Sequence, residues 1–148
     1  MSAVELSSDR ARQDTAAIHA FLTRSYWAQG ISRPRVERSL DASLCFGLFD
    51  AGTQVGFARV VTDRTTFAYL CDVYVLETHR GRGLGKRLLT AVVSHPDLAD
   101  LRRFVLWTRD AHGLYQQFGF SRLTDQPGLM GVVKPFGVST PKERHPHE

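Results

Sequence analysis

A glycine-rich stretch from Arg80 to Gly85 joins a strand-like run that ends near Leu76 to a helical pattern that begins near Gly83. Glycines stand at three alternate positions of this stretch, 81, 83 and 85. Such a turn exposes successive backbone N–H groups at the positive end of a helix, where a phosphate can approach without obstruction from side chains. The turn therefore predicts an anion-binding site. A surface turn with solvated arginines is the alternative.

The positive charge of the chain is concentrated at this turn. The formal net charge is +4 at pH 7, and residues 77–90 alone carry +3. The cations of that segment are Arg80, Arg82, Lys86 and Arg87. Cations beside exposed amides favour an anionic ligand. A nucleic acid is not expected, because neither a basic helix long enough for a groove nor an aromatic stacking platform accompanies the cluster.

Two common phosphate-binding motifs do not fit the spacing of the glycines. A P-loop needs Gly-x-x-x-x-Gly-Lys-Ser/Thr, but Arg80 stands five positions before Gly85, and Arg87 follows the lysine. A dinucleotide fingerprint needs Gly-x-Gly-x-x-Gly in an early βαβ unit, whereas these glycines alternate and follow an antiparallel meander. The sequence therefore excludes both motifs.

Apolar periodicity predicts helices and strands on both sides of the turn. Helices are expected at residues 14–26, shortly after Pro34, from Gly83 to about Pro96, and at 110–118. Strands are expected ahead of the first helix, at residues 44–49, 54–62, 67–76 and 103–108, from Phe120 onward, and at 129–134. Short connections within the 44–76 region imply an antiparallel meander. We expect a mixed α/β fold with a mostly antiparallel sheet of six to seven strands and helices on both faces.

Length and composition predict a single soluble domain. The chain has 148 residues, of which 43% are hydrophobic and 23% charged, and we expect one domain at 1–134 and a mobile, proline-containing tail at 135–148. Cys45 and Cys71 lie in apolar runs and indicate reduced, buried thiols, which favours the cytoplasm. No membrane segment or signal peptide is expected. No metal site is expected either, because the histidines of the tail have too few partners.

The turn and a second motif resemble those of a known enzyme family. Arg80, Gly83 and Gly85 match the Arg/Gln-x-x-Gly-x-Gly/Ala signature of the GNAT N-acetyltransferase superfamily. The segment 114–120, Leu-Tyr-Gln-Gln-Phe-Gly-Phe, resembles a later Leu-Tyr-x-x-x-Gly-Phe element of the same family. The resemblance covers about residues 44–123 and implies the GNAT fold.

The resemblance implies that acetyl-CoA binds at the turn as co-substrate. The family cradles the coenzyme pyrophosphate on this motif, which assigns that role to the backbone of Arg80, Gly81, Arg82, Gly83, Leu84, Gly85 and Lys86. Val73, Tyr74 and Val75 match strand residues whose main chain pairs with pantetheine where two parallel strands splay apart. A core role for their side chains is the alternative. Thr108 stands where many members carry an Asn that contacts the coenzyme, so the cofactor is expected to be held differently there.

For catalysis, the resemblance implies Tyr115 and Asp72. Tyr115 matches a tyrosine near the coenzyme sulfur, from which a phenol can protonate the leaving thiolate; packing beside Phe118 is the alternative. Asp72 matches an acidic position near the acceptor amine in diamine-acetyltransferase-like relatives, and a purely structural aspartate is the alternative. His112 is a second candidate base, and Tyr69 falls where some relatives carry a catalytic glutamate. A bulge in this strand would reverse which side chains face the site.

For the acceptor, the resemblance points to the segment between the first two helices. Tyr26 and Trp27 are candidates for an aromatic wall, and a hydrophobic staple is the alternative. The expected activity is direct transfer of acetyl from acetyl-CoA to a primary amine of a small molecule in a ternary complex. A non-catalytic acyl-CoA sensor and a protein or peptide N-acetyltransferase are the alternatives, and a homodimer is compatible with each.

Overall fold

The structure is a computed structural model that describes residues 3–134. Its sheet contains the strands β1 (Val4–Ser7), β2 (Leu44–Asp50), β3 (Thr53–Thr62), β4 (Phe67–Val75) and β5 (Arg103–Leu106), in that spatial order. The first four strands pair antiparallel, and β5 runs parallel to β4. The predicted mixed and mostly antiparallel sheet is therefore confirmed.

The strand count is five within residues 3–134, so the expectation of six to seven strands is wrong. The two missing strands are those expected from Phe120 onward and at 129–134, where the chain forms turns and irregular structure. Strand-like composition alone did not produce a strand there, because a strand also needs a backbone partner. The predicted tail, residues 135–148, lies outside the described residues.

Within the described residues, four α-helices accompany the sheet: α1 (Thr15–Leu22), α2 (Arg33–Asp41), α3 (Leu84–Val93) and α4 (His112–Gln116). Side chains set the starts of the first two. Asp14 Oδ1 accepts a hydrogen bond from the Ala17 amide at 3.1 Å, and Ser32 Oγ accepts from the Arg35 amide at 3.3 Å. Among the described helices, none is long and apolar enough to cross a membrane.

The helices cover opposite faces of the sheet, as expected. Helix α3 packs through Leu84, Leu88 and Leu89 into a core that includes Phe46 and Leu70. The residues of the second core come from α1, α2 and the other sheet face: Ile18, Phe21, Leu22, Val36, Leu40, Cys45, Phe57 and Tyr74. The sheet lies between the two cores. Residues near the C-terminal end of β4 pack into both of them, and the glycine-rich turn follows that end.

Candidate functional site

The glycine-rich turn presents a row of free backbone donors. Gly81 and Gly83 have φ values of +80° and +72°, a conformation that favours glycine, and Gly83 is the N-cap of α3. The first helical hydrogen bond runs from the Arg87 amide to the Gly83 carbonyl, at 3.1 Å. Within the described part of the chain, no protein acceptor takes a hydrogen bond from the amides of residues 81–86. These amides are therefore available to an anion at the helix N-terminus.

The turn lines a cavity of about 380 Å³. The lining residues are Val75, His79, Arg80, Gly81, Gly83, Leu84, Gly85, Lys86 and Leu114. A Cβ added at Gly81, Gly83 or Gly85 would meet no atom within 4 Å. Gly85 lies inside α3 without a positive φ, so protein packing does not require glycine there. The absent side chains instead keep open a concave space next to the free amides.

The cations of the turn are not equivalent. The Arg80 Nε donates to the Val75 carbonyl at 3.1 Å, which ties the turn to the end of β4. Arg87 donates to the carbonyl of Val4 and so belongs to the contact with β1. Arg82 and Lys86 are exposed, and neither forms an ion pair with a described carboxylate. These two charges are therefore free to attract an anionic ligand.

Strands β4 and β5 diverge beside this cavity. They pair only from Phe67 with Arg103 to Leu70 with Leu106, whereas β4 continues to Val75 through its pairing with β3. The edge of residues 71–75 that faces away from β3 thus has no strand partner among the described residues. This opening is the splay between parallel strands that the resemblance implied.

The side chains of the three predicted pantetheine residues lie in the cores. Val73 and Val75 pack against the core under α3, while the Tyr74 ring stacks on Phe21 with centroids 3.9 Å apart. Burial raises the pKa of the Tyr74 phenol above its ordinary value. The side chains therefore serve the core, and contact between a ligand and the main chain of residues 73–75 stays a prediction.

A bulge in β4 decides which side chains share a face. The β3 partner shifts by one residue between Phe57 and Arg59, so Ala58 lies opposite both Asp72 and Val73. Asp72 has a φ of +56°, the left-handed conformation of a bulged residue. Leu70 and Val73 therefore share the core under α3, while Tyr74 lies in the second core, an arrangement that strict alternation would not predict.

The carboxylate of Asp72 is bound through both oxygens. Oδ2 accepts from the Arg59 Nε at 2.8 Å, and Oδ1 accepts from the Trp27 Nε1 at 2.9 Å. The Asp72 and Arg59 side chains are only 9% and 17% exposed. Arg59 also donates to the Ser43 hydroxyl, at 3.1 Å. Asp72 is therefore an ionic junction between β3, β4 and the segment after α1, and its function as a base stays a prediction.

Tyr115 lies on α4 beside Leu114, which lines the cavity. Burial, with a smaller contribution from the charge of Tyr26, raises the pKa of the Tyr115 phenol to about 12. The phenol therefore keeps its proton throughout the neutral range. Its ring meets Phe120 edge-on with centroids 6.1 Å apart. The ring contact is thus with Phe120 and not with Phe118, the partner that the alternative named, and the chemical role of the hydroxyl stays a prediction.

The remaining predicted residues occupy different places around the site. The Thr108 Oγ1 accepts from the Ala111 amide at 3.0 Å, so its oxygen holds the start of α4. His112 is the first residue of α4 and is partly buried. Tyr69 pairs with Val61 across the sheet, and burial raises the pKa of its phenol. The cofactor and acceptor roles of these residues remain predictions.

Tyr26 and Trp27 form an exposed aromatic corner next to Asp72. Their rings meet edge-on at 5.2 Å between centroids, and the Arg109 guanidinium lies 3.7 Å from the centre of the Tyr26 ring. Sequence reasoning did not find Arg109, because 83 positions separate it from Tyr26. It also missed Arg59, although a cation between the apolar neighbours Ala58 and Val60 signals a buried partner.

Comparisons with known proteins agree with this geometry. The family model of the Acetyltransferase (GNAT) family matches residues 5–120. A protein of Gibberella zeae that is named as an acetyltransferase is 31% identical over 152 residues, which cover 86% of this chain and 84% of that protein. A crystal structure of a protein assigned to the GNAT family, from Xanthomonas campestris pv. campestris, has a TM-score of 0.88 and 49% identity, covering 91% of this chain and 96% of that one.

A more distant solved structure is N-acetylglutamate synthase from Neisseria gonorrhoeae, complexed with coenzyme A and N-acetyl-glutamate. It has a TM-score of 0.69 and 16% identity, covering 86% of this chain and 30% of that one. This likeness concerns the fold alone. The matched family model and the nearer relatives show that the chain belongs to the GNAT acetyltransferase family.

Proposed function

We propose that the protein takes acetyl-CoA as its acetyl donor and transfers the acetyl group to a primary amine of a small molecule. The observation that carries the proposal is the 380 Å³ cavity lined by the glycine-rich turn, whose amides at residues 81–86 have no acceptor in the described chain, next to the end of β4 beyond its pairing with β5. A diphosphate fits donors of this kind, and an extended arm fits the unpaired edge of residues 71–75. Coenzyme A in the Neisseria structure of the same fold supports the choice of ligand.

Acetyl-CoA supplies a thioester whose carbon accepts the amine nitrogen while the carbon–sulfur bond breaks. In the proposed arrangement the Tyr115 phenol donates a hydrogen bond to the departing sulfur. Full transfer of its proton to a thiolate of ordinary pKa, about 8.5, costs roughly 5 kcal/mol against a phenol pKa of about 12. The hydrogen bond therefore stabilises the developing thiolate, and the proton lost by the amine is the one that finally neutralises the sulfur.

The acceptor amine is proposed to lie between the aromatic corner and Asp72. An alkylammonium with a pKa near 10.4 must lose a proton before attack, which costs roughly 4.6 kcal/mol at pH 7. Each Asp72 oxygen already accepts one hydrogen bond but retains a further lone pair, so the carboxylate can still orient an ammonium group. Tyr26, Trp27, Tyr69 and His112 are the proposed acceptor-side residues.

Calorimetry with coenzyme A, followed by thiol release from acetyl-CoA, tests the proposal. The acceptor panel contains small amines, amino acids and peptides at matched concentrations. We expect coenzyme binding, and thiol release that depends on a small amine. Coenzyme binding without thiol release from any acceptor would favour the sensor, and release with peptides only would favour the peptide acetyltransferase. Absence of coenzyme binding would overturn the cavity assignment itself.

A further inference from the structure

One cation beside the aromatic corner has no role in the mechanism proposed above. Arg109 stands three positions after Leu106, the last residue of β5, and its guanidinium lies 3.7 Å from the centre of the Tyr26 ring. The side chain is exposed and forms no ion pair with a carboxylate of the described residues. A guanidinium over a ring face keeps N–H donors for a further partner, and their fork matches the two oxygens of a carboxylate. Arg109 is therefore a cation held against a ring with its anion-binding capacity unused.

Tyr26 connects this cation with the groups proposed to act on the acceptor. Its ring meets Trp27 edge-on at 5.2 Å between centroids, and the Trp27 Nε1 donates to the Asp72 carboxylate at 2.9 Å. Tyr26 also lies close enough to Tyr115 for its charge to contribute to the raised pKa of that phenol. Arg109 therefore borders the corner against which the acceptor amine is proposed to lie.

The charges around the corner favour an acceptor that carries an anion as well as an amine. Arg59 neutralises Asp72 through a contact of 2.8 Å, so that carboxylate offers hydrogen-bond acceptors but little net charge. A polyamine would bring a second cation toward Arg109, which repulsion between like charges disfavours, whereas a carboxylate would pair with the guanidinium. Asp110 is exposed and forms no ion pair with a described cation. It makes a diamine the competing acceptor, and the experiment below includes one.

We propose that the acceptor is an amine that also carries a carboxylate, and that Arg109 binds this carboxylate while Asp72 orients the amine. The inference rests on the proposed function, because it names the acceptor class of that reaction. The amine nitrogen bonds to the acetyl carbon, the carbon–sulfur bond breaks, and the proton released by the amine neutralises the coenzyme sulfur. The carboxylate is unchanged and leaves with the N-acetyl product. Trp27 and Tyr26, which link Asp72 to Arg109 contact by contact, would lie against the apolar chain between the two charged groups of the acceptor.

Thiol release from acetyl-CoA with matched acceptors tests the acceptor class. The panel contains amino carboxylates whose two charged groups are one to five methylene groups apart, and for each length the alkylamine and the diamine as controls. We expect the best amino carboxylate to have a kcat/KM about 10-fold or more above both of its controls. Acetylation without preference for the carboxylate at any length overturns the inference alone. No thiol release with these acceptors or with the wider panel of amines, amino acids and peptides overturns the proposed function, and the inference with it.

Arg109→Met tests the residue, because methionine keeps an unbranched apolar chain beside the Tyr26 ring and removes the charge. The KM of the amino carboxylate should rise by about 10-fold or more, while the KM of the matched alkylamine and the affinity for coenzyme A stay within about twofold. Arg102→Met is the matched control, an exposed arginine at the opposite end of β5, and should leave all three values within about twofold. An equal rise for both acceptors would mean a structural role for Arg109, and a weaker affinity for coenzyme A would mean contact with the coenzyme. Either result overturns the inference.

Discussion

Asp72 shows how one residue can combine a strained backbone, a buried ion pair and a candidate chemical role. Its φ of +56° is uncommon outside glycine, and Asn and Asp are the residues that adopt such values most readily. The bulge turns its carboxylate toward Arg59 and Trp27. Because Asp72 neutralises the largely buried charge of Arg59, loss of the carboxylate should first lower the stability of the fold. An effect on the binding of the acceptor amine would come in addition.

Asp72→Asn should lower the free energy of unfolding by about 3 kcal/mol. Asparagine keeps the left-handed backbone and an oxygen for the Trp27 N–H, but it leaves the largely buried Arg59 without a counter-charge. Urea denaturation measures the change. The double variant Arg59→Met/Asp72→Asn removes the orphaned charge and should regain most of the loss. Equal stability of wild type and Asp72→Asn would mean that the ion pair is not formed in solution.

Tyr115→Phe should lower kcat by about 100-fold while the affinity for coenzyme A stays within twofold. The substitution removes only the hydroxyl group, and the ring contact with Phe120 remains. Steady-state thiol release gives kcat, and calorimetry gives the coenzyme affinity as the internal control for folding. An unchanged kcat would remove the phenol from the mechanism.

The start of α3 gives different functions to glycines that look equivalent in the sequence. Gly83 needs its positive φ to let the chain enter the helix, whereas Gly85 is an ordinary helical position. Both leave open space around a hypothetical Cβ. The element therefore combines one glycine required by backbone conformation with one whose missing side chain only widens the cavity.

Gly83→Glu should reduce coenzyme A affinity by more than 100-fold, because a carboxylate would enter the space that the free amides face. Left-handed strain should also lower stability by about 1 kcal/mol. Gly52→Glu is the matched control: Gly52 has a φ of +83°, nothing within 4 Å of a Cβ, and a position in the β2–β3 turn away from the cavity. It should lose similar stability and keep its affinity. Equal affinity losses in both variants would refute the proposal that the glycine-rich turn binds the coenzyme pyrophosphate.

Gly85→Ala should raise the free energy of unfolding by up to about 1 kcal/mol, since alanine is the better helix former and meets no atom within 4 Å. The signature that this turn resembles admits alanine at the same position, so coenzyme A affinity should be retained. Urea denaturation and calorimetry measure the two quantities. A loss of stability would mean that the first turn of α3 is not helical in solution.

Across the whole molecule, local sequence patterns predicted the secondary structure correctly where residues that are close in sequence are also close in space. The meander was predicted at 44–49, 54–62 and 67–76 and lies within one residue of those bounds. Helix α1 ends at Leu22 rather than near residue 26, because the Ser25 hydroxyl donates to the Leu22 carbonyl and accepts from the Ala28 amide, which turns the chain.

Long-range pairing is what the sequence could not supply. Whether residues after Phe120 form a strand depends on a pairing partner elsewhere in the chain, and local composition does not reveal that partner. The contacts of Asp72 join residues 13 and 45 positions away, and a left-handed bulge hides its direction from any alternation rule. The candidate site was therefore predictable where a contiguous turn builds it, and not where side chains from separate elements meet.

Three weak acids that are wholly or partly removed from water should make the stability of the molecule sensitive to alkaline pH: Cys45 in the second core, Tyr115 beside the core under α3, and Cys71, which is half-buried and not fully buried as expected. Burial raises the pKa of the Cys45 thiol from 9.0 to about 11, of the Cys71 thiol from 9.0 to about 12, and of the Tyr115 phenol from 10.0 to about 12. Both cysteines are free, so both titrate. As the pH rises past 9, the unfolded chain loses these protons before the folded chain does. Stability is therefore fully present below about pH 8 and falls as the pH approaches the folded values.

We expect the free energy of unfolding to be constant between pH 7 and pH 8 and to fall by about 3 kcal/mol between pH 8 and pH 10, the two thiols contributing most of the loss. Urea denaturation under reducing conditions at each pH measures it. Cys45→Ala/Cys71→Ala is less stable at pH 7 because it leaves cavities, but its stability should fall by less than about 1 kcal/mol over the same range. A wild-type profile as flat as that of the double variant would mean that water reaches the thiols in the folded chain, and that the two cores are looser than their packing around Cys45 implies.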